Sequence, residues 1–298
     1  MAVGDVNPGY MGYAEIEGLT HKLRFTDASI NARQDINAPD LVMGHWDHNA
    51  YVFQKIEIGG TISGPVTENF ALSTESVWAW AVKRSGDCGT LDANDVGLFY
   101  YCGSGSTGSP SNRLFPNMRV NSLTFSCAAG DLAQFSLDVL GAETPTWGGA
   151  GSWSEDIEEE KLMTWDQTAV SVTAGDEEIG ALGSSAFSNF TFTIANNIQT
   201  IYAIGSGVAL NNLYPFDLVP GMRTITGSLS AYNVPQVDGA ERWTDYAADQ
   251  MGTITFNIGS TAFTMKVRFH RVEAASSVTP IISTIAFTGV GHQTGLDA

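Results

Sequence analysis

Charged residues are scarce in this sequence, and those present are mostly acidic. Asp, Glu, Lys and Arg make up 15% of 298 residues, and 14 Lys and Arg stand against 32 Asp and Glu, a formal net charge of −18. Such a balance argues against a protein that grips nucleic-acid phosphates, because phosphate affinity depends on Lys and Arg. It favours a protein that stays in solution.

Cysteines and long apolar runs are also few. Three cysteines are too few for a disulfide scaffold. Cys88 and Cys102 flank a Gly- and Ser-rich segment and are candidates for a disulfide or an inter-subunit pair, although reduced thiols are the simpler expectation for a protein made in a cytosol. No apolar run approaches the roughly 18 residues of a membrane helix, and residues 1–10 have no basic run or apolar core, so neither a membrane helix nor a signal peptide is expected.

Motifs of enzymes and cofactor sites are incomplete or missing. Gly103–Gly108 fits the pattern GxGxxG, but Pro110 follows where the dinucleotide fingerprint needs a helix. His45 and His48 lie close to an aspartate, yet no further metal ligands are evident. No Ser, Cys or Lys lies in a nucleophile frame such as GxSxG. We therefore expect no catalysis, no cofactor and no metal site.

Alternating strand patterns dominate what is present. Phe190, Phe192 and Ile194 alternate with threonines, and after a loop the run Arg223–Ser230 alternates again. A period of two residues is typical of a half-buried strand. Together with 43% hydrophobic residues and abundant Gly, Ser and Thr, the pattern predicts a mostly β protein with a substantial core.

The same pattern returns in the first half of the chain at a constant offset. Leu23 and Phe25 match Phe190 and Phe192. The next strand repeats as well, since Ile58, Gly60 and Ile62 match Ile225, Gly227 and Leu229. A constant offset keeps each side chain on the same face, whereas a slip of one residue would invert every position. We interpret the chain as two copies of one strand–strand–helix–hairpin unit, residues 1–145 and 146–298.

Each copy is predicted to contain one helix. The first spans Thr74–Arg84, with Val77, Trp80 and Ala81 on its buried face. The second spans Asp238–Met251, with Gly252 as its stop.

A hairpin follows the helix in each copy. The first turns at Gly130-Asp131 and the second at Gly259-Ser260, with apolar residues alternating along both strands of each. The first copy also carries an insertion, Ser85–Asn117, which is rich in Gly, Ser and Asn and has no clean periodicity. We predict that it forms a long loop outside the core.

Three segments make the chain resemble the tail tube proteins of long-tailed bacteriophages, in a duplicated form close to this length. They are Val120–Ala142, Phe190–Gly207 and Leu218–Asn233. The resemblance implies two tandem tail-tube-like β-sandwich domains, each with a flanking α-helix, that contribute to an inner β-barrel on assembly. It implies a structural virion protein whose stacked rings form the conduit for genome delivery.

On this interpretation, closure of the ring removes the open sheet edges. The polar side of each strand pair then lines the channel. We expect three chains per ring, with neighbours pairing through Lys55–Ser63 and Arg223–Ser230, and rings that stack by a contact that propagates. A negative potential from Glu57 is expected to hold DNA off the wall. The candidate lumen-facing positions are Glu57, Thr61, Ser63, Thr224, Thr226, Ser228 and Ser230.

The resemblance also implies partners and a location. The chain contacts itself within and between rings, and the tail sheath, tape measure and tail terminator proteins are further candidate partners. Phage DNA passes without specific binding. The protein is made in the host cytoplasm, ends in the virion tail and inserts into no membrane.

Two other classes stay open from the sequence. A carbohydrate-binding β-sandwich or phage adhesin would use exposed tryptophans, and Trp46, Trp147 and Trp153 lie in Gly-rich or loop-like segments. An outer-membrane porin would share the acidic, aromatic and β-rich composition but requires a signal peptide.

Overall fold

The computed structural model describes residues 12–17, 23–37, 52–68, 76–85, 90–100, 111–147, 161–174, 177–178, 187–203, 213–232, 251–258, 261–270 and 282–291. Within these ranges the chain is almost all β-structure, with one short α-helix. The predicted mostly β class is confirmed.

The strands follow each other along the chain with short connections in several places. In chain order they are β1 Gly12–Ile16, β2 Leu23–Arg24, β3 Asp27–Ala28, β4 Asn31–Asn37, β5 Val52–Pro65, β6 Arg84–Ser85, β7 Thr90–Leu91, β8 Asn94–Tyr100, β9 Ser111–Ala128, β10 Gln134–Gly141, β11 Thr146–Trp147, β12 Thr168–Ala174, β13 Glu177–Glu178, β14 Phe187–Ala195, β15 Gln199–Ile201, β16 Asp217–Val219, β17 Thr224–Tyr232, β18 Met251–Ile258, β19 Thr261–Phe269 and β20 Ile282–Gly289. The helix α1 spans Val77–Val82, and a 3₁₀ turn spans Trp165–Gln167.

One antiparallel sheet runs through both halves of the chain. Its order is β13-β12-β18-β19-β20-β17-β14-β9-β10-β5-β3, and β4 also pairs with β5. The halves join where β9 pairs with β14, with Phe125 opposite Phe192. A branch of β1, β2, β8 and β11 builds on the N-terminal part of β9. The division at residue 145 therefore stays a prediction, because strands from both sides of it belong to one sheet.

The sheet bends so that two layers enclose a common core. β19 and β20 pair over Val267–Phe269, which forms the corner between the layers. Phe256 of β18 then packs on Phe190 and Phe192 of β14, with ring centroids 5.1 and 4.7 Å apart. Buried aromatic rings are among the largest sources of hydrophobic stabilisation, so this cluster binds the second-half hairpin to the central sheet.

The helix α1 packs inside this core. Ser76 caps it, because the Ala79 N–H donates to Ser76 Oγ at 3.2 Å. The predicted face of Val77, Trp80 and Ala81 is buried, and Trp78 is buried as well. The Trp78 ring lies 3.9 Å from that of Phe263, a second-half residue. The predicted C-terminal boundary was too late, since the chain leaves the helix at Lys83 and enters β6 at Arg84.

The predicted second helix, Asp238–Met251, lies outside the described residues except at its last position. Met251 begins β18, and Gly252 lies within that strand, opposite Val267. The expected helix stop at Gly252 was wrong. The alternation of Ile254 and Phe256, both buried, determines the structure of this segment.

The insertion Ser85–Asn117 is not the coreless loop that its composition predicted. Where it is described, it forms β7, β8 and the start of β9, and Leu91, Val96, Leu98 and Phe115 are buried. The strand β8 pairs with β1 on one side and β9 on the other. Its apolar residues are too closely mixed with Asn, Asp and Gly to give a clean period, but tertiary pairing overrides that weak local preference.

The strand pairs of both predicted hairpins are present. Phe125 lies opposite Phe135 in β9–β10, and Phe256 lies opposite Phe263 in β18–β19. In the first hairpin the Asp131 N–H donates to the Ala128 carbonyl at 3.0 Å.

The match of Phe25 with Phe192 is wrong in register. Phe192 lies opposite Gly227, but Ile30 is the residue that approaches Gly60, because Ser29 and Asn31 pair with Thr61 and Gly59. Thr26 and Asp27 are exposed in succession, which breaks the alternation between Phe25 and Ile30. Both apolar residues can then point inward although five positions separate them.

Candidate channel-lining face

Small hydroxyl side chains cover one side of the central strands β5, β10, β9, β14, β17 and β20. The pairing register places one residue of each strand in a single row, and every member of that row is Ser or Thr. Their neighbours along each strand, such as Leu123 and Ile194, point into the core. We call this side the hydroxyl face, and its central row is Ser63, Ser136, Thr124, Thr193, Thr226 and Thr288.

Hydrogen bonds between strands satisfy part of this face. The hydroxyl oxygens of Thr124 and Thr193 lie 2.9 Å apart, and those of Ser230 and Thr284 lie 2.7 Å apart. Asn121 Nδ2 donates to Asp138 Oδ2 at 2.7 Å. Cross-strand pairs of this kind stabilise a sheet and leave a smooth, mostly neutral polar surface.

The predicted lumen-facing residues gather on the hydroxyl face. Thr61, Thr224 and Thr226 are exposed, and Ser63 and Ser228 are half-buried. Ser230 points the same way but is only 5% exposed, so little of its surface is available to a channel. Residues from the two halves lie in one row, because Ser63 and Thr226 are connected through three intervening strands.

The strands between these two sets were predicted, but their hydroxyl residues were not among the predicted lumen-facing positions. Thr124, Ser136 and Thr193 form the middle of the row, and Thr288 extends it on β20. Their signal was present in the alternation of Ser122, Thr124 and Ser126 with buried residues. That segment was interpreted only as a hairpin.

Glu57 is exposed as expected, but its charge is compensated. The Lys55 ammonium contacts the Glu57 carboxylate, and Arg33 lies opposite Glu57 on β4. Arg119, at another margin of the face, pairs with Asp217 at 3.2 Å between Nη1 and Oδ1. The expected negative lining at Glu57 is therefore weaker than the formal charge suggested, since nearby cations offset it.

The predicted ring contact through Arg223–Ser230 and Lys55–Ser63 conflicts with the pairing. Strand β17 is hydrogen-bonded to β14 on one side and to β20 on the other. Strand β5 has β3 and β4 on one side and, over Ile58–Pro65, β10 on the other. Backbone groups that already pair within one chain cannot also pair with a neighbour, so Thr226–Ser230 and Ile58–Ser63 are not available for the predicted contact.

Cysteines and aromatic candidates are only partly described. Cys88, Cys102, His45, His48, Trp46 and Trp153 lie outside the described residues, and of Trp147 the structure describes only the backbone, in β11. Cys127 is a free, buried thiol, and burial raises its pKa, since an ionised sulfur would lose hydration there. Thr168 Oγ1 lies 3.7 Å from its sulfur.

The described part of the chain contains neither a metal-binding cluster nor a membrane-spanning helix. No group of three or more His, Cys, Asp or Glu side chains there is arranged to hold a metal ion. No helix among these residues is long and apolar enough to cross a membrane.

Comparison with known proteins identifies the family. A family model described as phage tail tube protein matches residues 3–289. A search of curated proteins found no match. The match spans nearly the whole chain and includes the hydroxyl face. The chain thus belongs to the phage tail tube protein family, a family of structural components of the virion tail.

Proposed function

We propose that this chain assembles into closed rings that stack into the tail tube, with the hydroxyl face lining the channel through which the genome is delivered. The observation that carries the proposal is the unbroken row of hydroxyls across six strands. One side of a sheet this wide must face either a core or water, and small polar side chains suit a water-filled channel.

Dimensions support a ring of three chains. The strands from β20 to β4 form seven adjacent strands in one chain. Three copies would supply about 21 strands, and at a spacing of about 4.8 Å and a tilt of about 40° these close a barrel with a backbone radius of roughly 20 Å. A channel of that radius has room for a DNA duplex.

The margins of the sheet suggest how neighbours meet. Asp27 continues the central row beyond Ser63 at one margin, and Arg268 continues it beyond Thr288 at the other. Both side chains are exposed. In a closed ring the β3–β4 margin of one copy faces the β19–β20 corner of the next, which brings opposite charges together. Complementary charge of this kind favours one docking register over others.

The chemistry of the lining suits passage of DNA. Nucleic-acid affinity comes from cations that displace counterions from phosphates, and the central row supplies hydroxyls instead. We propose that low adhesion, more than repulsion, lets DNA slide, because Glu57 is paired with Lys55. Sheath, tape measure and terminator proteins are proposed partners at the outside, the lumen and the tube ends.

Labelling of introduced cysteines tests the orientation. In a parent with Cys88 and Cys102 replaced by Ser, Thr226→Cys places a thiol on the hydroxyl face. Thr264→Cys places one on β19 beyond the corner at Val267–Phe269, in the layer on the other side of the core, where Thr264 is exposed. We expect a bulky maleimide polymer to label both variants when subunits are dissociated. In assembled tubes we expect it to label only T264C, because a narrow channel excludes the polymer.

Electron microscopy of the same samples supplies the control for assembly. Tubes built from rings of three chains are the expected result. Equal labelling of both variants in intact tubes, or protection of T264C alone, would reject the proposed orientation. Purified protein that forms no rings under any condition would reject the proposed function itself.

A further inference from the structure

A two-stranded ribbon at one end of the sheet exposes large apolar side chains. Strands β15 and β16 pair with each other and form a separate small sheet. Phe216 is 75% exposed and Met222 is 84% exposed, while Ile201 and Val219 are exposed by 43% and 39%. We call this segment, residues 199–201 with 216–222, the β15–β16 ribbon. A concentration of exposed apolar residues on so short a segment marks an interaction site.

The ribbon is firmly attached, so its exposure does not result from a frayed end. Leu218 is buried, and the Arg119 guanidinium contacts both the Leu218 carbonyl and Asp217. Asn197 Nδ2 donates to the Met222 carbonyl at 2.7 Å. The Gly221 N–H donates to the Asn196 carbonyl at 3.0 Å. These bonds hold the apolar side chains outward on a defined backbone.

The opposite end of the same sheet contains an open groove. Its volume is about 710 Å³, and it follows the end of β9 beyond Ser126. At about 30 Å³ per water molecule this is room for roughly 20 waters, which is ample for a phenyl ring and a thioether chain. We call it the end groove, and it opens partly onto the hydroxyl face. The residues that line it are Ser126, Cys127, Ala128, Asp131, Leu132, Gln134, Asn189, Phe190, Thr191, Ser228 and Ser230.

The two surfaces lie at opposite ends of one strand. Arg119 of β9 contacts the β15–β16 ribbon, and Cys127 of β9 lines the end groove. Eight residues of strand at about 3.3 Å each separate them by roughly 26 Å. With the tilt of barrel strands, most of that distance lies along the axis of a ring.

We propose that the β15–β16 ribbon of one copy inserts Phe216 and Met222 into the end groove of a second copy in the adjoining ring. This inference depends on the proposed function, since it assigns the contact by which rings stack. The β15–β16 ribbon forms a knob at one end of the chain, and the end groove forms a recess at the other end. A contact between the knob of one copy and the recess of the next is heterologous and does not close, so it propagates into a filament. Each ring repeats the contact in every subunit, so a modest energy per copy suffices for stacking.

Three full-length variants test the contact. Phe216→Ser with Met222→Ser removes the knob without disturbing the core, because both side chains are largely exposed. Ala128→Arg fills the end groove with a long charged side chain. Met251→Ser is the matched control, since Met251 is 57% exposed on β18 and lies outside the ribbon. Electron microscopy then counts the rings in each assembly.

We expect tubes from the wild type and M251S, and single rings from F216S/M222S and from A128R. A mixture of preformed F216S/M222S and A128R rings should give stacks of two rings and nothing longer, because one variant retains only the groove and the other only the knob. Normal tubes from F216S/M222S, or a mixture that stays as single rings, would overturn this inference and leave the proposed function intact. F216S/M222S protein that forms no rings would also overturn it, by placing the ribbon in the lateral contact.

Discussion

The two hairpins, β9–β10 in the first half and β18–β19 in the second, have the same local structure and different surroundings. Each has a phenylalanine pair directly across its strands, Phe125 with Phe135 and Phe256 with Phe263. The first lies in the middle of the sheet, where β10 pairs with β5 and β9 pairs with β14. The second turns the corner at β20 and forms the facing layer with β12.

This difference separates what local sequence determines from what it does not. Alternation and a short turn are sufficient to specify a hairpin and its facing pairs. The neighbour on each outer edge depends on residues far along the chain. The first hairpin lies in the central sheet, and its polar side forms part of the hydroxyl face. The second hairpin lies in the facing layer, and its apolar side covers the core beneath the hydroxyl face.

The largest expected effect tests whether the two halves of the chain unfold as one cooperative unit. Phe192 is 1% exposed and contacts Phe125 of the first half and Phe256 of the second. We expect Phe192→Ala to lower the free energy of unfolding by about 3–5 kcal/mol, because it removes a buried ring and leaves a cavity. Urea unfolding of the dissociated protein should show one cooperative transition at a lower midpoint.

The control for this test is Phe216→Ala, whose side chain is exposed and should change the midpoint little. Two separate transitions in F192A, with only one of them shifted, would show that the halves fold as independent domains. That result would restore the division near residue 145 as a physical boundary.

A smaller effect is expected at Asn196, which connects the halves through hydrogen bonds. Its side chain is fully buried, and Nδ2 donates to the carbonyls of Ala81 and Val120 at 2.9 Å each. Removing it leaves two buried acceptors without this donor, at about 1–3 kcal/mol for each unsatisfied group. We expect Asn196→Ala to lower the unfolding free energy by about 2–4 kcal/mol, measured by urea unfolding.

Asn189→Ala is the matched control, because the Asn189 side chain is exposed. Hydrogen exchange adds a spatial readout. Protection should fall in α1 as well as in β9 if Asn196 holds the two together, and an effect confined to β14 would contradict that role.

The smallest effect is expected at the two matched glycines, Gly60 and Gly227. A Cβ on Gly60 would lie 2.4 Å from the Ser29 carbonyl oxygen, and one on Gly227 would lie 2.3 Å from Cζ of Phe287. We expect Gly60→Ala and Gly227→Ala each to cost about 1–3 kcal/mol, because neighbouring atoms must move. Ser136→Ala, on a strand between them, should change stability by less than about 0.5 kcal/mol. Thermal denaturation distinguishes these values, and a neutral effect at only one glycine would show that the two sites are not equivalent.

The parts of this fold that could be predicted from sequence are those with strong local periodicity. The alternation of Phe190 to Ile194 and of the two hairpins identified strands and their buried faces. The buried face of α1 followed from its helical spacing. The matched glycines Gly60 and Gly227 were found from the constant sequence offset alone, and the structure places each opposite a strand that approaches closely.

The rest depends on pairing across long sequence separations. The segment Ser85–Asn117 was interpreted as a loop because β8 is stabilised by β1 and β9, which its own composition does not reveal. The register of Phe25 was displaced by a local break at Thr26 and Asp27. The expected ring edges were wrong because nothing in Arg223–Ser230 indicates that β20 occupies its second side.

The long strand β9 also imposes an order of events during synthesis. One edge of its C-terminal part stays unpaired until β14 has been made, because Asn189 of β14 pairs with Ala128. At about 5–20 residues per second, a ribosome needs roughly 3–12 s to make the intervening segment. During that interval the backbone edge from Asn121 to Ala128 is exposed, and exposed edges recruit other chains. Aggregation is therefore expected on polysomes, where many nascent copies lie close together. Growth at a lower temperature slows translation and so lengthens the interval in which the edge is exposed.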